Sequence, residues 1–300
     1  MEFFIKTMIN GITLGNIYAL IALGYTMVYG IVGMINFAHG EVYMTGAFIA
    51  LIVGHLLNSL GLPLVIVFCI SLLAACVYAG FLGYTLEKVA YKPLRKSHRL
   101  ATLISAIGAS IFLQNFVLIA QGPENQVFPD LISDPDWLAP MGEYLRTEDI
   151  LIGITTLLVM SVLIHFSKTT RTGLAMRAVA QDETMATLNG INTDKVISQT
   201  FVIGSVLAAI AGVLIDTYMG QINFYIGFIA GIKAFTAAVL GGIGSVPGAA
   251  IGGLFLGIAE SLAAGYISNS YKDVVSFGLL ILVLIFRPAG LLGKVRVEKV

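Results

Sequence analysis

Long stretches without a formal charge constrain this chain most. Residues 42–86 contain no Asp, Glu, Lys or Arg, and the other uncharged runs are 7–40, 101–123, 150–167, 196–215, 217–232, 234–259 and 274–286. Only 11% of the residues are charged, whereas soluble domains carry about 25%. Because backbone polar groups in lipid must be satisfied internally, these runs predict membrane-spanning α-helices.

The number of spans follows from dividing the longest runs. A spanning helix needs about 20 residues, and clusters of Gly, Pro and Asn mark the places to divide. The predicted spans are 7–32, 41–58, 62–86, 101–120, 150–167, 196–216, 226–242, 247–267 and 273–287. We therefore predict an all-α polytopic membrane protein of about 8–9 helices with Gly-rich breaks, forming a single transmembrane domain over 1–300 without a soluble domain. The first apolar run exceeds the about 7–15 residues of a signal peptide, so we expect it to remain in the mature protein.

The orientation of the spans is predicted from the basic residues. Three segments are rich in them: Lys88, Lys92, Arg95, Lys96 and Arg99; Lys168, Arg171 and Arg177; and Arg287, Lys294, Arg296 and Lys299. Because Lys and Arg favour the cytoplasmic side, we predict that all three are cytoplasmic: segment 87–100, the loop 168–195 and the C-terminus. Segment 121–149 carries seven acids and one Arg, which predicts a periplasmic loop. The span count then places the N-terminus outside, and no basic patch indicates a nucleic-acid partner.

Segment 171–191 has an amphipathic pattern between two spans. Leu174, Ala178, Met185 and Leu188 recur at helical spacing, with Gln181 as the polar member of the stripe. The charged residues Arg177, Asp182 and Glu183 lie off this stripe, and Gly190 lies near the end of the segment. This pattern predicts one short helix that ends at Gly190, and that lies on the lipid headgroups or docks into a groove of another protein.

The stretch "INFAHGEVYMTG" (35–46) places polar groups between two apolar runs. A metal site there lacks further ligands at usable spacing, so a helix break is favoured over metal binding. In this interpretation Asn36 caps the second helix, and Glu41 lies in its first turn, where the helix dipole favours an acid. His39 remains open between a hydrogen-bonding residue at the break and a gate.

Two charged residues are predicted to lie inside the bilayer. Lys233 and Glu260 each fall about seven residues from the outer end of a span, roughly 10 Å deep. They either form an ion pair, since each charge is costly alone, or line the path and meet a zwitterionic substrate. Asp216 falls at a predicted outer span end, where we expect a solvated side chain.

The turn "GGIGSVPG" is also open to two interpretations. Its glycines are Gly241, Gly242, Gly244 and Gly248. They allow two helices to pack closely, or they mark a broken helix whose backbone groups face a cavity.

Three segments together resemble a known family. "GITLGNIYALIALGYTMVYGIVGMINFAHGEVYMTGAF" (11–48), "TGLAMRAVAQDETMATLNGIN" (172–192) and "IKAFTAAVLGGIGSVPGAAIGG" (232–253) are similar to bacterial ABC permeases for branched-chain amino acids, of the H-type of the two permease subunits. The resemblance implies import of Leu, Ile and Val, and possible import of other amino acids, across the inner membrane. It implies a heterodimer with a second, M-type permease, two cytoplasmic ATP-binding subunits and a periplasmic amino-acid-binding protein, which Asp216 would be placed to contact.

The resemblance also implies where coupling to ATP takes place. The expected ATPase-coupling residues are Arg171, Gly173, Arg177, Asp182, Glu183 and Gly190. The sequence contains no G-x-x-x-x-G-K-[ST] loop, since "GLLGKV" (290–295) lacks its spacing and its Ser/Thr. We therefore predict that this chain binds no cofactor or metal, is not an enzyme, and depends on partners that use ATP. The alternative is a stand-alone secondary amino acid transporter or channel, which would need intramembrane carboxylates or His arranged as an ion site.

Overall fold

The computed structural model describes residues 1–95, 97–132, 135, 142 and 144–293. Within these residues the chain forms α-helices and two short strands. The helices are α1 (Glu2–Val32), α2 (His39–Asn58), α3 (Leu64–Leu86), α4 (Arg99–Gln121), α5 (Thr147–Thr169), α6 (Arg171–Gln181), α7 (Glu183–Leu188), α8 (Thr193–Met219), α9 (Ile226–Gly241), α10 (Val246–Tyr266) and α11 (Lys272–Phe286). The strands β1 (Gln126–Val127) and β2 (Gln221–Ile222) pair antiparallel.

The predicted fold class is confirmed. Among the described residues, 8 helices are long and apolar enough to cross a membrane by length and composition. One of them extends α3 through a π-helix, Glu87–Tyr91, and a 3-10 turn, Lys92–Leu94. The predicted span at 226–242 is the shorter α9, whose 16 residues measure roughly 24 Å.

Contacts between helix ends define two sides of the bundle. The pairing of β1 with β2 joins the segment after α4 to the segment after α8, and the rings of Phe3 and Tyr266 lie 5.5 Å apart. The N-terminus therefore lies on the same side as the described parts of the acidic segment, 121–132 and 144–149, and we name this the acidic side. On the opposite, basic side, Arg95 Nη1 lies 2.8 Å from Asp194 Oδ1 at the start of α8.

The described helix ends next to the basic and acidic segments thus lie on opposite sides of the bundle, and which side is cytoplasmic stays a prediction. Some of the residues used for that prediction lie outside the described residues. They are Lys96, Asp134, Asp136, Glu143, Lys294, Arg296 and Lys299.

Helix α1 forms the centre of the bundle. Its residues 17–28 are all buried, because α2, α5, α8, α9 and α10 surround it. It lies closest to α10, where Gly11 and Gly15 face Gly253 and Gly257, and a methyl group on Gly257 would overlap the backbone of Gly15. Small residues allow this approach of two backbones, as expected for helix packing in a membrane.

The turn between α9 and α10 also shows close packing. Gly242 and Gly244 have positive φ, +104° and +92°, and a methyl group on Gly241 would overlap the backbone of Gly248. The carbonyls of Leu240 and Gly241 accept hydrogen bonds from the backbone N–H groups of residues 291 and 292, at 2.8 and 2.9 Å. Of the two interpretations of "GGIGSVPG", the close-packed turn therefore agrees with the structure.

Candidate functional site

The segment on the basic side between α5 and α8 consists of two helices, so the predicted single helix is wrong. Thr170 caps α6 by accepting a hydrogen bond from Gly173 N at 3.0 Å. Asp182 then leaves the helical conformation and caps α7, because its Oδ1 accepts a hydrogen bond from Met185 N at 2.9 Å. The side chain of Asp182 offers nearby backbone N–H groups a hydrogen bond that competes with a continuous helix. This local hydrogen bond divides the segment into two helices.

Most of the predicted apolar stripe faces outward, although Ala178 is half-buried and packs against the core. Leu174, Met185 and Leu188 are exposed, whereas a different set, Gly173, Met176, Val179 and Ala186, is buried. Arg171, Arg177, Asp182 and Glu183 are exposed as well. Gly190 has φ +82° and follows Asn189, the C-cap of α7, so it has the left-handed conformation predicted for the end of the segment. The segment thus carries apolar and charged side chains that the bundle does not cover.

The break between α1 and α2 is present, but Asn36 does not cap α2. The side chain of Asn36 instead accepts a hydrogen bond from the hydroxyl of Tyr91, at 2.6 Å. Helix α2 begins at His39 after Ala38, without a side-chain cap, and the His39 N–H donates to the Asn36 carbonyl oxygen at 3.0 Å. The amide of Asn36 therefore fixes the break to the π-helix that follows α3.

The start of α2 lies inside the bundle rather than at its surface. His39 is buried against Gly24 of α1, which in turn adjoins Gly204 of α8. Gly204 follows the start of α8 by eleven residues, or roughly 16 Å at 1.5 Å per residue. The N-terminus of α2 is therefore well removed from the basic-side end of the bundle.

The start of α9 meets the start of α2 at this depth. Gly40 and Gly227 face each other so closely that a methyl group on either would overlap the backbone of the other. Glu41 lies beside Gly227, and its Oε1 accepts a hydrogen bond from Ser110 Oγ at 3.1 Å. Among the described residues, His39 Nε2 and Glu41 Oε2 are buried without a hydrogen-bond partner. Two helix starts and two buried polar groups thus meet in the interior.

A cavity of about 370 Å³ adjoins this meeting point. Its lining is largely apolar, and the side chains around it come from α1, α4 and α9 and from the break itself. They include Tyr25, Phe37, Ser110, Gln114, Phe228 and Phe235. The break therefore borders an apolar space with a few polar groups.

We expect Tyr91→Phe to lower the thermal stability of the purified protein. The substitution leaves the buried Asn36 amide oxygen without its donor, and an unsatisfied buried polar group costs about 1–3 kcal/mol. The measurement is the melting temperature of the purified protein. Tyr84→Phe is the control, because Tyr84 is 45% exposed. Equal melting temperatures for the two variants would contradict a structural role for the Tyr91–Asn36 bond.

Lys233 and Glu260 form an ion pair, which was one of the two predicted arrangements. The Lys233 Nζ lies 2.6 Å from Glu260 Oε1 and 2.7 Å from Asp273 Oδ1. Glu260 Oε2 accepts hydrogen bonds from the hydroxyls of Tyr18, at 3.0 Å, and Ser276, at 3.3 Å. Lys233 and Glu260 are each 3% exposed, whereas the Asp273 side chain is 42% exposed.

The ion pair also lines a cavity, so the second predicted arrangement is present in part. This cavity, of about 450 Å³, extends towards the acidic side and includes Lys233, Glu260, Lys272 and Asp273. Sequence reasoning missed Asp273, because its position at the start of the last span indicated only a solvated helix end. Its spacing from Lys233 is set by the packing of α9 against α11, which no local pattern reveals.

Asp216 is buried, so the prediction of a solvated side chain that contacts another protein is wrong. The residue is 0% exposed, and within the described part of the chain neither carboxylate oxygen has a hydrogen-bond partner. Helix α8 continues to Met219, and the segment after α4 returns over it, where Phe128 N donates to Gly220 O at 2.9 Å. The folding of this segment covers the helix end that the sequence alone indicated as exposed.

Another buried carboxylate, Glu87, was missed by sequence reasoning. It is 0% exposed and forms an ion pair with Arg95, and its Oε2 accepts a hydrogen bond from Ser198 Oγ at 2.7 Å. Arg95 and Lys92 in turn contact Asp194. These contacts join the basic segment after α3 to the start of α8, which directly follows the α6–α7 segment. The only sequence signal was an acid beside a basic cluster.

A bundle of bilayer-length helices with an interior helix start, buried charges and cavities defines a polytopic membrane permease. The family model described as a branched-chain amino acid transport system permease component matches residues 7–284. The chain belongs to this family.

Similar proteins agree with this assignment. The chain is 52% identical to the high-affinity branched-chain amino acid transport system permease protein LivH of Salmonella typhimurium, over 99% of this chain and 98% of that protein. It is 53% identical to LivH of Escherichia coli K12 over the same shares. It is 52% identical to the permease protein BraD of Pseudomonas aeruginosa, again over 99% and 98%. No solved structure matches the chain significantly.

Proposed function

We propose that this chain is the membrane-spanning subunit of an ATP-driven importer for the branched-chain amino acids Leu, Ile and Val. The observation that carries the proposal is the α6–α7 segment, whose exposed apolar stripe and charged residues project from a bundle of the permease family. In a stand-alone carrier such a surface would serve only to lie on the lipid headgroups. An ATPase that changes shape needs one to act upon.

The proposed assembly follows the family and the distribution of charge. Two cytoplasmic ATP-binding subunits bind at the basic side, to which we also assign the C-terminus, and a periplasmic amino-acid-binding protein delivers substrate at the acidic side. A second permease, of the M-type, completes a heterodimer in the bacterial inner membrane. In this proposal residues 1–300 form one transmembrane permease domain in contact with lipid, and the partners supply the ATP chemistry.

We expect movement of α6 and α7 to reach the interior through contacts at the start of α8. We assign the coupling role to Arg171, Gly173, Arg177, Asp182, Glu183 and Gly190. Asp194 at the start of α8 contacts Lys92 and Arg95, and Tyr91, one residue before Lys92, holds Asn36 at the break. Displacement of the α6–α7 segment is thus connected by direct contacts to the interior break, where Asn36, His39 and Glu41 border the proposed path.

The proposal is tested by uptake into vesicles that contain the permease pair, the ATPases and the binding protein. We expect leucine accumulation that requires ATP and the binding protein. Vesicles in which the ATPases lack a functional nucleotide site are the control. Accumulation that persists without any ATPase would overturn the proposal in favour of a secondary transporter or channel.

Substitutions in the coupling segment should separate charge from helix capping. We expect Arg177→Ala combined with Glu183→Ala to reduce co-purification of the ATPases severalfold, because the exposed charges that would face the partner are removed. Asp182→Ser retains an oxygen that caps α7 but removes the charge, whereas Asp182→Ala removes both.

The measurement is the ratio of ATPase to permease in the purified complex. A lower ratio for Asp182→Ala than for Asp182→Ser assigns Asp182 a capping role in the docking segment. Unchanged ratios for all these variants would exclude the segment as the ATPase contact.

A further inference from the structure

The cavity on the acidic side has the composition of a binding site for an amino acid main chain. Its volume of about 450 Å³ falls in the range of about 300–1,000 Å³ that is typical of small-molecule sites. Charged groups from α9, α10 and α11 converge on it, and the rest of its lining is both apolar, as at Leu14, Ile226 and Ile229, and polar, as at Asn10 and Asn223. It therefore combines charged groups with apolar side chains and uncharged polar ones.

The charged groups of the cavity differ in how many of their hydrogen-bonding positions are already occupied by other side chains. Both oxygens of Glu260 are engaged, by Lys233, Tyr18 and Ser276. An ammonium group has three donors, and among the described residues Lys233 Nζ contacts two carboxylates. Lys233 thus retains one donor, and the Asp273 carboxylate, 42% exposed, retains acceptor capacity towards the cavity.

We propose that Lys233 binds the α-carboxylate and Asp273 binds the α-ammonium group of a transported amino acid in this cavity, while Glu260 positions Lys233. The inference deepens the proposed function and rests on it. In an amino acid the two charges are attached to one carbon atom. They match a cation and an anion whose Nζ and Oδ1 atoms lie 2.7 Å apart, since the zwitterion can lie alongside the pair with opposite charges facing.

The charge balance of the cavity favours a neutral amino acid. Two cations, Lys233 and Lys272, and two anions, Glu260 and Asp273, line it, so a zwitterion adds no net charge. A substrate with a charged side chain would add a net charge that no further charged group of the described lining offsets. An aliphatic side chain instead contacts Leu14, Ile226 and Ile229.

The test measures binding of radiolabelled leucine to the assembled permease–ATPase complex in nanodiscs, without the binding protein. Two competitors dissect the contacts: 4-methylpentanoate lacks the ammonium group, and 3-methylbutylamine lacks the carboxylate. We expect Asp273→Asn to weaken the binding of leucine at least 10-fold and the binding of 4-methylpentanoate less than 2-fold. Only leucine has an ammonium group that loses its contact with the carboxylate. Glu124→Gln removes an exposed carboxylate on the same side and is expected to change neither.

Lys233 is tested together with Glu260, because the single variant leaves a buried carboxylate unpaired. We expect Lys233→Met with Glu260→Gln to weaken the binding of leucine and of 4-methylpentanoate at least 10-fold, because both carry the carboxylate that Lys233 would bind. The binding of 3-methylbutylamine, which lacks a carboxylate, should weaken less than 2-fold. Equal weakening of all three ligands by either variant, unchanged leucine binding, or no leucine binding to the unmodified complex would overturn the inference. ATP-dependent uptake measured in the same preparation shows separately whether the proposed function stands.

Discussion

The substitution Lys233→Met is expected to unfold the permease at a much lower temperature, whereas Lys233→Met with Glu260→Gln restores most of the loss. The single variant leaves the carboxylate of Glu260, 3% exposed, without its cation, and breaking a buried pair in this way costs about 3–5 kcal/mol. The double variant replaces that carboxylate by a neutral amide of nearly the same shape. The measurement is the melting temperature and the amount of monodisperse protein after heating.

Lys92→Met is the matched control for this prediction. The same substitution there removes a cation from an exposed pair, since the side chains of Lys92 and Asp194 are 39% and 52% exposed. Exposed pairs contribute about 0–1 kcal/mol, so the melting temperature should change little. A double variant no more stable than Lys233→Met would show that the charge of Glu260 is not the reason for the instability.

The substitution Gly257→Ala is expected to disrupt the packing of α1 against α10. The added methyl group would overlap the Gly15 nitrogen and Cα atom and the Gly11 carbonyl oxygen. All three belong to the backbone, so the helices must separate. Overpacking of this kind costs about 1–3 kcal/mol, and here it affects the central helix of the bundle. We expect a reduced yield of folded protein and a lower melting temperature.

Gly108→Ala on α4 is the control, because nothing lies within 4 Å of the added methyl group. Alanine also favours a helix interior over glycine by about 0.5–1 kcal/mol, so this variant should be as stable as the unmodified protein or more stable. If Gly257→Ala and Gly108→Ala are equally stable, the close approach of α1 and α10 is not required for folding.

Much of the fold is predictable because the bilayer imposes simple rules. The apolar runs determine the number of long helices, and the alternation of basic and acidic segments gives the relative side of each connection. The depth of Lys233 and Glu260 also follows from their positions along adjacent spans. Two charges at equal depth in antiparallel neighbours indicate a pair, and the structure contains one.

The errors concern residues whose surroundings come from distant parts of the chain. Asn36 precedes a helix and has a side chain that can cap one, but its amide oxygen instead accepts a hydrogen bond from the hydroxyl of Tyr91. Asp216 lies near a helix end, but the segment after α4 covers it. Asp182 was placed within a helix, although its side chain ends one helix and begins the next. In the last case the signal was local and was missed.

The sequence by itself determined the class of the protein, the positions of the spans and the relative sides of the loops, because hydrophobicity and charge act locally on insertion into lipid. Only the tertiary structure decided how α2 begins inside the bundle, that α9 meets it there, and that Asp273 joins Lys233 beside a cavity. These features depend on how helices distant in sequence pack together. Backbone contact between small residues sets that packing, and the positions of glycine along one helix do not specify which glycines of another helix will face them.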